Sequence, residues 1–233
     1  MPPVDSHHPV PGCKAVARTR RSPDAATRLA ALGGVVGPAA FVGAWAVGAT
    51  VAPGYSIVDD AISRLAAVGA DTRPLMTTGF LAFGVGVPLF AVALRRVIGG
   101  IAWMTAAATG LSTLAVAAIP LEQSAAADSW HGIAAAIGYV TLAATPLLAV
   151  RPLLERGCRR LAKLGVVSAA VAVVSLLLSA TQLPTGLFQR IGLTAVDIWI
   201  VASALAIVSA GPRSDPSHQT RRRRSARLAA PSE

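Results

Sequence analysis

Residues 164–183 read LGVVSAAVAVVSLLLSATQL, twenty consecutive residues without a charged side chain. A helix of about 20 apolar residues spans the hydrocarbon core of a bilayer. Lipid offers backbone N–H and C=O groups no hydrogen bonds, so a segment of this kind crosses as a helix, which satisfies its own backbone. This stretch therefore predicts a transmembrane helix.

Five further segments have a similar length and apolar character, which predicts an all-α polytopic membrane protein with six transmembrane helices. Asp197 is the only fully charged residue inside them. The predicted spans are Leu29–Ala52, Leu75–Leu94, Ile98–Ile119, Gly132–Val150, Leu164–Leu183 and Ile191–Ala210.

The composition of the 233 residues supports a membrane protein and argues against nucleic-acid binding. Charged residues make up 14% of the chain, whereas soluble domains contain about 25%. The net charge is +10, but the arginines lie in short clusters between apolar segments, without a nucleic-acid-binding motif. We therefore expect membrane lipids as partners, with another membrane protein as a further possibility, and no nucleic acid.

The distribution of basic residues predicts the orientation in the membrane. Cytoplasmic segments of membrane proteins carry an excess of Lys and Arg. If both termini are cytoplasmic, 18 of the 21 basic residues lie inside, and only Arg64, Arg73 and Arg190 lie in outer loops. We therefore predict a multi-pass protein of the cell (plasma) membrane with cytoplasmic N- and C-termini.

The two ends of the chain differ in composition from the middle. Residues 1–28 and 211–233 are polar and basic and have no apolar periodicity, which is typical of disordered segments. Residues 29–210 then form a single six-helix transmembrane domain.

The first outer loop contains a helical pattern. Ser56 and Asp59 resemble a capping box, and Asp60 precedes Arg64 by four residues, the favourable order for an ion pair on a helix. We predict a short extracytoplasmic helix between spans one and two, from about Ile57 to Val68. It would serve either as a lid over the helix ends or as one wall of an outward-facing pocket.

Three polar residues at the outer ends of later spans are also candidates. His131 opens the fourth predicted span, where it would either pair with a carboxylate and change charge near pH 6.5 or form hydrogen bonds at a helix end. Asp197 lies two turns deeper than Arg190 on nearly the same face of the sixth span. A lone carboxylate in an apolar helix is expected to face the bundle interior and to pair, with Arg190, His131 or a loop arginine.

Several motifs resemble those of the bacterial and archaeal family called domain of unknown function 998. They are Pro53-Gly54-Tyr55-Ser56, Ile62-Ser63-x-Leu65, Gly79-Phe80, His131 and Gly186-Leu187-x-Gln189-Arg190. The resemblance covers roughly Leu29 to Ala210, and the family is itself similar to the DRAM, Frag and Sfk-like membrane proteins. It implies a six-helix bundle with its motifs on the outer side, and it implies no activity.

We therefore predict a non-enzymatic membrane protein whose outward-facing polar pocket binds a lipid or a partner. The alternatives are a secondary transporter or proton-coupled carrier, and a lipid-modifying membrane enzyme. No nucleotide-binding or hydrolase motif is present, and a single histidine in the spans argues against a zinc site, so no catalytic residue, metal or cofactor is assigned. The candidate pocket residues are Tyr55, Ser56, Asp59, Asp60, Ser63, Arg64, His131, Gln189, Arg190 and Asp197.

Overall fold

A computed structural model describes residues 23–181 and 183–210, and this part of the chain is helical without strands. The disorder predicted for most of the two tails lies outside the described residues. A short 3-10 helix, Ile62–Ala66, lies between the first and second α-helices. The six α-helices are α1 Ala25–Val51, α2 Arg73–Val97, α3 Ala102–Ala118, α4 Ala125–Glu155, α5 Arg159–Ser179 and α6 Thr185–Val208.

The helices confirm the predicted six-helix membrane fold. Five of them are long and apolar enough to cross a bilayer, and α3, with 17 residues, lies at the short end of the usual range. Large side chains such as Leu111, Val140 and Leu177 remain exposed on the outer surface of the bundle. So much exposed apolar surface suits contact with lipid rather than water.

The helices form a closed ring. Each packs mainly on its neighbours in chain order, and α1 packs on α6. Arg28 Nη2 at the start of α1 donates a hydrogen bond to the Ala210 carbonyl after α6, at 2.7 Å, which brings the two described ends of the chain together. We call this end of the bundle the terminal face, and the opposite end, formed by residues 52–72, 119–124 and 183–184, the loop face.

Glycines allow a close approach of α1 and α2. A Cβ atom on Gly86 of α2 would lie 2.6 Å from the Gly33 carbonyl oxygen and 3.1 Å from the Gly37 Cα atom of α1. A side chain at Gly86 would therefore force α1 and α2 apart. Small residues allow this close approach of helix backbones in membranes, and the Gly33–Gly37 pair of the sequence lies at the contact.

The helix predicted from Ile57 to Val68 is wrong in extent, because only Ile62–Ala66 is helical and it is a 3-10 helix. The local signals are satisfied: the Asp59 N–H donates to Ser56 Oγ at 3.1 Å, within a single turn. The chain then becomes extended at Ala61. The Asp60 carbonyl accepts hydrogen bonds from the side chains of Tyr55 and of Arg190 on α6, whereas the Ala61 carbonyl accepts the 3-10 bond from the Arg64 N–H at 3.1 Å.

Candidate functional site

Arg190, near the start of α6, holds the loop between α1 and α2 against the bundle. Its side chain is only 6% exposed. Nη1 donates to the carbonyl oxygens of Asp60 at 3.1 Å and Gly186 at 2.9 Å, and Nη2 donates to the Tyr55 hydroxyl. The guanidinium carbon also lies 5.2 Å from the centre of the Trp45 ring, within cation–π range. We call Tyr55, Asp60 and Arg190 the latch.

The Tyr55 hydroxyl completes the latch. It lies 3.2 Å from the Asp60 carbonyl oxygen and 3.1 Å from that of Ala61, and so it donates to the same turn of backbone that Arg190 contacts. Burial raises the pKa of the Tyr55 hydroxyl above its usual value, although the Arg190 charge opposes this. The hydroxyl therefore keeps its proton and its role as a donor at neutral pH.

A second residue of α6, Gln189, joins the 3-10 helix to α4. Its Oε1 accepts a hydrogen bond from the Ile62 N–H at 2.8 Å, and its Nε2 donates to the Tyr139 hydroxyl. Leu187 adds a backbone bond, donating its N–H to the Val58 carbonyl at 2.8 Å. The start of α6 thus fixes the loop at several points and lays the 3-10 helix across the end of the bundle.

Three predicted site residues lie on the outside of this loop. Ser56 Oγ donates to Asp59 Oδ2 at 2.7 Å, and Asp60 Oδ1 lies 3.4 Å from Arg64 Nε. The Asp60–Arg64 pair predicted from the sequence is therefore formed, and Arg64 Nη2 also lies 3.6 Å from Glu122 Oε1. Exposed pairs of this kind contribute about 0–1 kcal/mol, so Ser56, Asp59 and Arg64 shape the surface of the loop.

Beneath the 3-10 helix, the helices line a partly open cavity of about 60 Å³. We call it the central cavity. Its walls come from the 3-10 helix and from α1, α2, α3, α4 and α6. The apolar lining residues include Phe41, Ile62, Phe80, Phe83, Leu142 and Leu193, and the polar ones include Ser63, Thr109, Ser112, Thr113, His131, Tyr139, Gln189 and Asp197.

His131, which lines the cavity, has one ring nitrogen without a partner among the described residues. The residue is 4% exposed and lies in the second turn of α4, which begins at Ala125 and not at the predicted Gly132. Nδ1 lies 2.6 Å from the Ile119 carbonyl oxygen, and because a carbonyl can only accept, the proton is on Nδ1. Nε2 is buried and has no partner in the described part of the chain, so in the neutral ring it is a vacant acceptor.

Asp197 is buried without the partner predicted for it. The residue is 4% exposed, and within residues 23–181 and 183–210 neither carboxylate oxygen has a hydrogen bond. The predicted pairing is wrong. Arg190 is engaged in the latch and lies about 10 Å from Asp197 along α6, at 1.5 Å per residue. Arg64 is exposed on the loop. A buried charge without a partner costs several kcal/mol, so the site favours a proton, a cation or a hydrogen-bond donor.

The predicted site residues therefore belong to two separate places in the fold. Tyr55, Asp60 and Arg190 form the latch, with Ser56, Asp59 and Arg64 on its outer surface. Ser63, His131, Gln189 and Asp197 line the central cavity. Sequence reasoning missed Tyr139, although the rarity of tyrosine was a signal, since the chain has two. In the structure, both tyrosines contact the start of α6.

The described residues offer no evident place for a metal ion, since no three His, Cys, Asp or Glu side chains among them lie close enough together to bind one.

In comparison with known families, the model described as "Protein of unknown function (DUF998)" matches residues 35–206. This confirms the resemblance noted from the sequence motifs. No curated protein and no solved structure matches the chain.

Proposed function

The chain belongs to the DUF998 family, and from the part of the bundle that the family shares we propose that it is a non-enzymatic membrane protein that binds a ligand in the central cavity. Every residue lining the cavity falls between Phe41 and Asp197, inside the matched range. The multi-pass helical bundle is the scaffold, and the loop with its latch is the cover of the site.

The observation that carries this proposal is the pair of unpartnered polar groups in one cavity. Asp197 and His131 Nε2 are both buried without a hydrogen bond among the described residues, and both residues line the central cavity. Buried polar groups are nearly always hydrogen-bonded, because leaving one unsatisfied costs about 1–3 kcal/mol, and more for a charge. A ligand that supplies the missing partner recovers this free energy.

The size of the cavity limits what enters it. One water needs about 10–15 Å³ of such volume, so a cavity of about 60 Å³ has room for a few waters or for one small polar group. A whole membrane lipid does not fit. We propose that the ligand inserts a single group, either as a small molecule or as the polar end of a lipid whose remainder stays in the membrane.

The orientation is part of the proposal. The excess of basic residues in segments at the terminal face supports a cytoplasmic location for that face, by the positive-inside rule. The loop face would then lie outside the cell, and the loop from Tyr55 to Ala66 would separate the cavity from the exterior. A ligand would reach the cavity from the outer side.

A pair of alanines on α4 allows a matched test. Ala134 lines the cavity and Ala143 does not, yet both are buried. Ala134→Leu fills the cavity, so we expect native mass spectrometry of protein released from native-membrane nanodiscs to show loss of a bound mass that the unaltered protein retains. Ala143→Leu overpacks the core at a cost of about 1–3 kcal/mol and should keep the bound mass. Equal retention by both variants would refute the cavity as the binding site.

A proton-coupled carrier is the second candidate, favoured by a buried carboxylate, Asp197, that lines the cavity and has no hydrogen bond among the described residues. Proteoliposomes with a pH-sensitive dye inside distinguish it from a binding protein. A carrier should dissipate an imposed pH gradient when its substrate is present and lose this activity in Asp197→Asn, whereas a binding protein leaves the gradient intact in both forms.

A further inference from the structure

We propose that the group bound in the central cavity is a primary ammonium group, with Asp197 as its counter-ion. This rests on the proposed function, because it takes the cavity as a binding site. It goes further by assigning the chemistry of the ligand from the polar atoms that remain available there.

Among the described residues, the fully buried polar atoms of the cavity lining that lack a partner are acceptors. Both amide atoms of Gln189 are engaged, by the Ile62 N–H and the Tyr139 hydroxyl. What remains without a partner is the pair of Asp197 oxygens and His131 Nε2. A primary ammonium group carries three N–H donors and no acceptor, so it can donate to both oxygens of the Asp197 carboxylate.

The charge of the cavity also fits a single positive charge. Among the described residues that line the cavity, Asp197 is the only acidic one, and none is a Lys or an Arg. Arg190, on the same helix, points its guanidinium group into the latch. One buried carboxylate without a counter-ion is neutralised by one monovalent cation, and hydrogen bonds to such charged groups are about twice as strong as neutral ones.

The apolar wall suits the carbon end of an amine. Phe41 lies 5.8 Å from Phe80 and 5.3 Å from Phe83 between ring centres, and all three rings line the cavity. Aromatic faces attract cations and their attached methylene groups. A quaternary ammonium group would contact these rings but leave both Asp197 oxygens without hydrogen bonds, which sites of this kind discriminate against strongly.

Two sources could supply a primary ammonium group: a free alkylamine, or the ethanolamine headgroup of a phospholipid. A binding assay on the full chain separates them. The protein is placed in nanodiscs of phosphatidylcholine, whose headgroup is quaternary, and binding of radiolabelled methylammonium is measured by scintillation proximity. We expect saturable binding that ethylammonium displaces and that uncharged ethanol, of similar size, does not.

The variants use carboxylates of the same chain as controls. Asp197→Asn keeps the shape of the side chain and should weaken methylammonium binding about 10- to 100-fold, the loss expected for one hydrogen bond to a charged group. Asp71→Asn removes an exposed carboxylate at the loop face and should leave binding unchanged. Thermal unfolding of Asp197→Asn checks that it is folded, and the ethanol comparison tests the inference on the unaltered protein alone.

In a second version of the assay, part of the phosphatidylcholine in the nanodiscs is replaced with phosphatidylethanolamine. A reduced apparent affinity for methylammonium then identifies the lipid headgroup as the source of the ammonium, and an unchanged affinity favours a free amine. Absence of saturable methylammonium binding, or equal binding by Asp197→Asn, overturns the inference. If Ala134→Leu still loses its bound mass in that case, the cavity remains a binding site and only the chemistry assigned to its ligand is refuted.

Discussion

Arg190→Ala should release the loop from the bundle without unfolding the helices. The substitution removes two long-range hydrogen bonds, to the Asp60 carbonyl oxygen and the Tyr55 hydroxyl, and the cation–π contact with Trp45. The bond to Gly186 lies within α6 and contributes little to holding the loop. The helices themselves are packed by apolar contacts that this change does not touch.

The magnitude follows from the bonds that are lost. Hydrogen bonds to a charged group contribute about 1.5–3 kcal/mol each, so two of them contribute about 3–6 kcal/mol. Removing a buried guanidinium also relieves the cost of its desolvation. We expect a net loss of about 2–4 kcal/mol in loop docking, equivalent to a rise of roughly 30- to 1,000-fold in the population of the open loop, at 1.4 kcal/mol for each factor of ten.

Hydrogen–deuterium exchange measures this opening directly. The amides of Ile62 and Leu187 are bonded across the contact between the loop and α6, and exchange at such amides reports local opening. Their protection should fall by the factor above in Arg190→Ala, whereas Arg64→Ala, which breaks only exposed ion pairs, should change it by less than about fivefold. Unchanged protection in Arg190→Ala, or an equal fall in Arg64→Ala, would show that the latch does not hold the loop.

Three further predictions concern the latch, the helix packing and the orientation. Because the pKa of Tyr55 is raised, its stabilising effect is complete below its usual pKa of about 10 and is lost as the pH rises through its folded value; the protection factors of the loop amides, which are corrected for base-catalysed intrinsic exchange, should therefore fall at high pH in the unaltered protein, and Tyr55→Phe should remove that fall. Gly86→Ala should lower the unfolding temperature in detergent, because its Cβ would meet the Gly33 carbonyl, whereas Gly43→Ala, with nothing within 4 Å, should not; a similar fall in both would contradict the close α1–α2 contact. A reporter fused after Arg224 should be active only on the cytoplasmic side, and activity on the exterior would reverse the proposed orientation.

The extent of the helices illustrates what local sequence patterns capture and where they stop. Apolar length located all six spans, but α4 begins at Ala125, before the predicted Gly132. Ser124 caps that start by accepting a hydrogen bond from the Ala127 N–H at 3.1 Å. Hydropathy detects the part of a helix that lies in lipid, whereas a capped helix continues into the polar interface, so the membrane-based boundary falls short of the structural one.

Among the candidate site residues, too, local sequence patterns predict some contacts and miss others. Asp60 and Arg64 pair as their spacing predicts, because that contact depends on residues four apart in the chain. The partner of Arg190 could not be read from spacing, since Tyr55 lies 135 residues away and competes with Asp197 for the guanidinium group. Three-dimensional proximity, rather than charge alone, settled which acceptor Arg190 binds.

The sequence alone determined that this chain is a six-helix membrane protein of the DUF998 family, because the cost of burying charge and unpaired backbone in lipid acts on each segment separately and leaves its mark in composition and length. Only the tertiary structure decided that the loop contains a 3-10 helix, that Arg190 holds that loop, and that Asp197 and one ring nitrogen of His131 have no partner among the described residues. Those outcomes depend on which distant groups meet, and the free energy of a buried polar group depends on its neighbours in space, which no local pattern specifies.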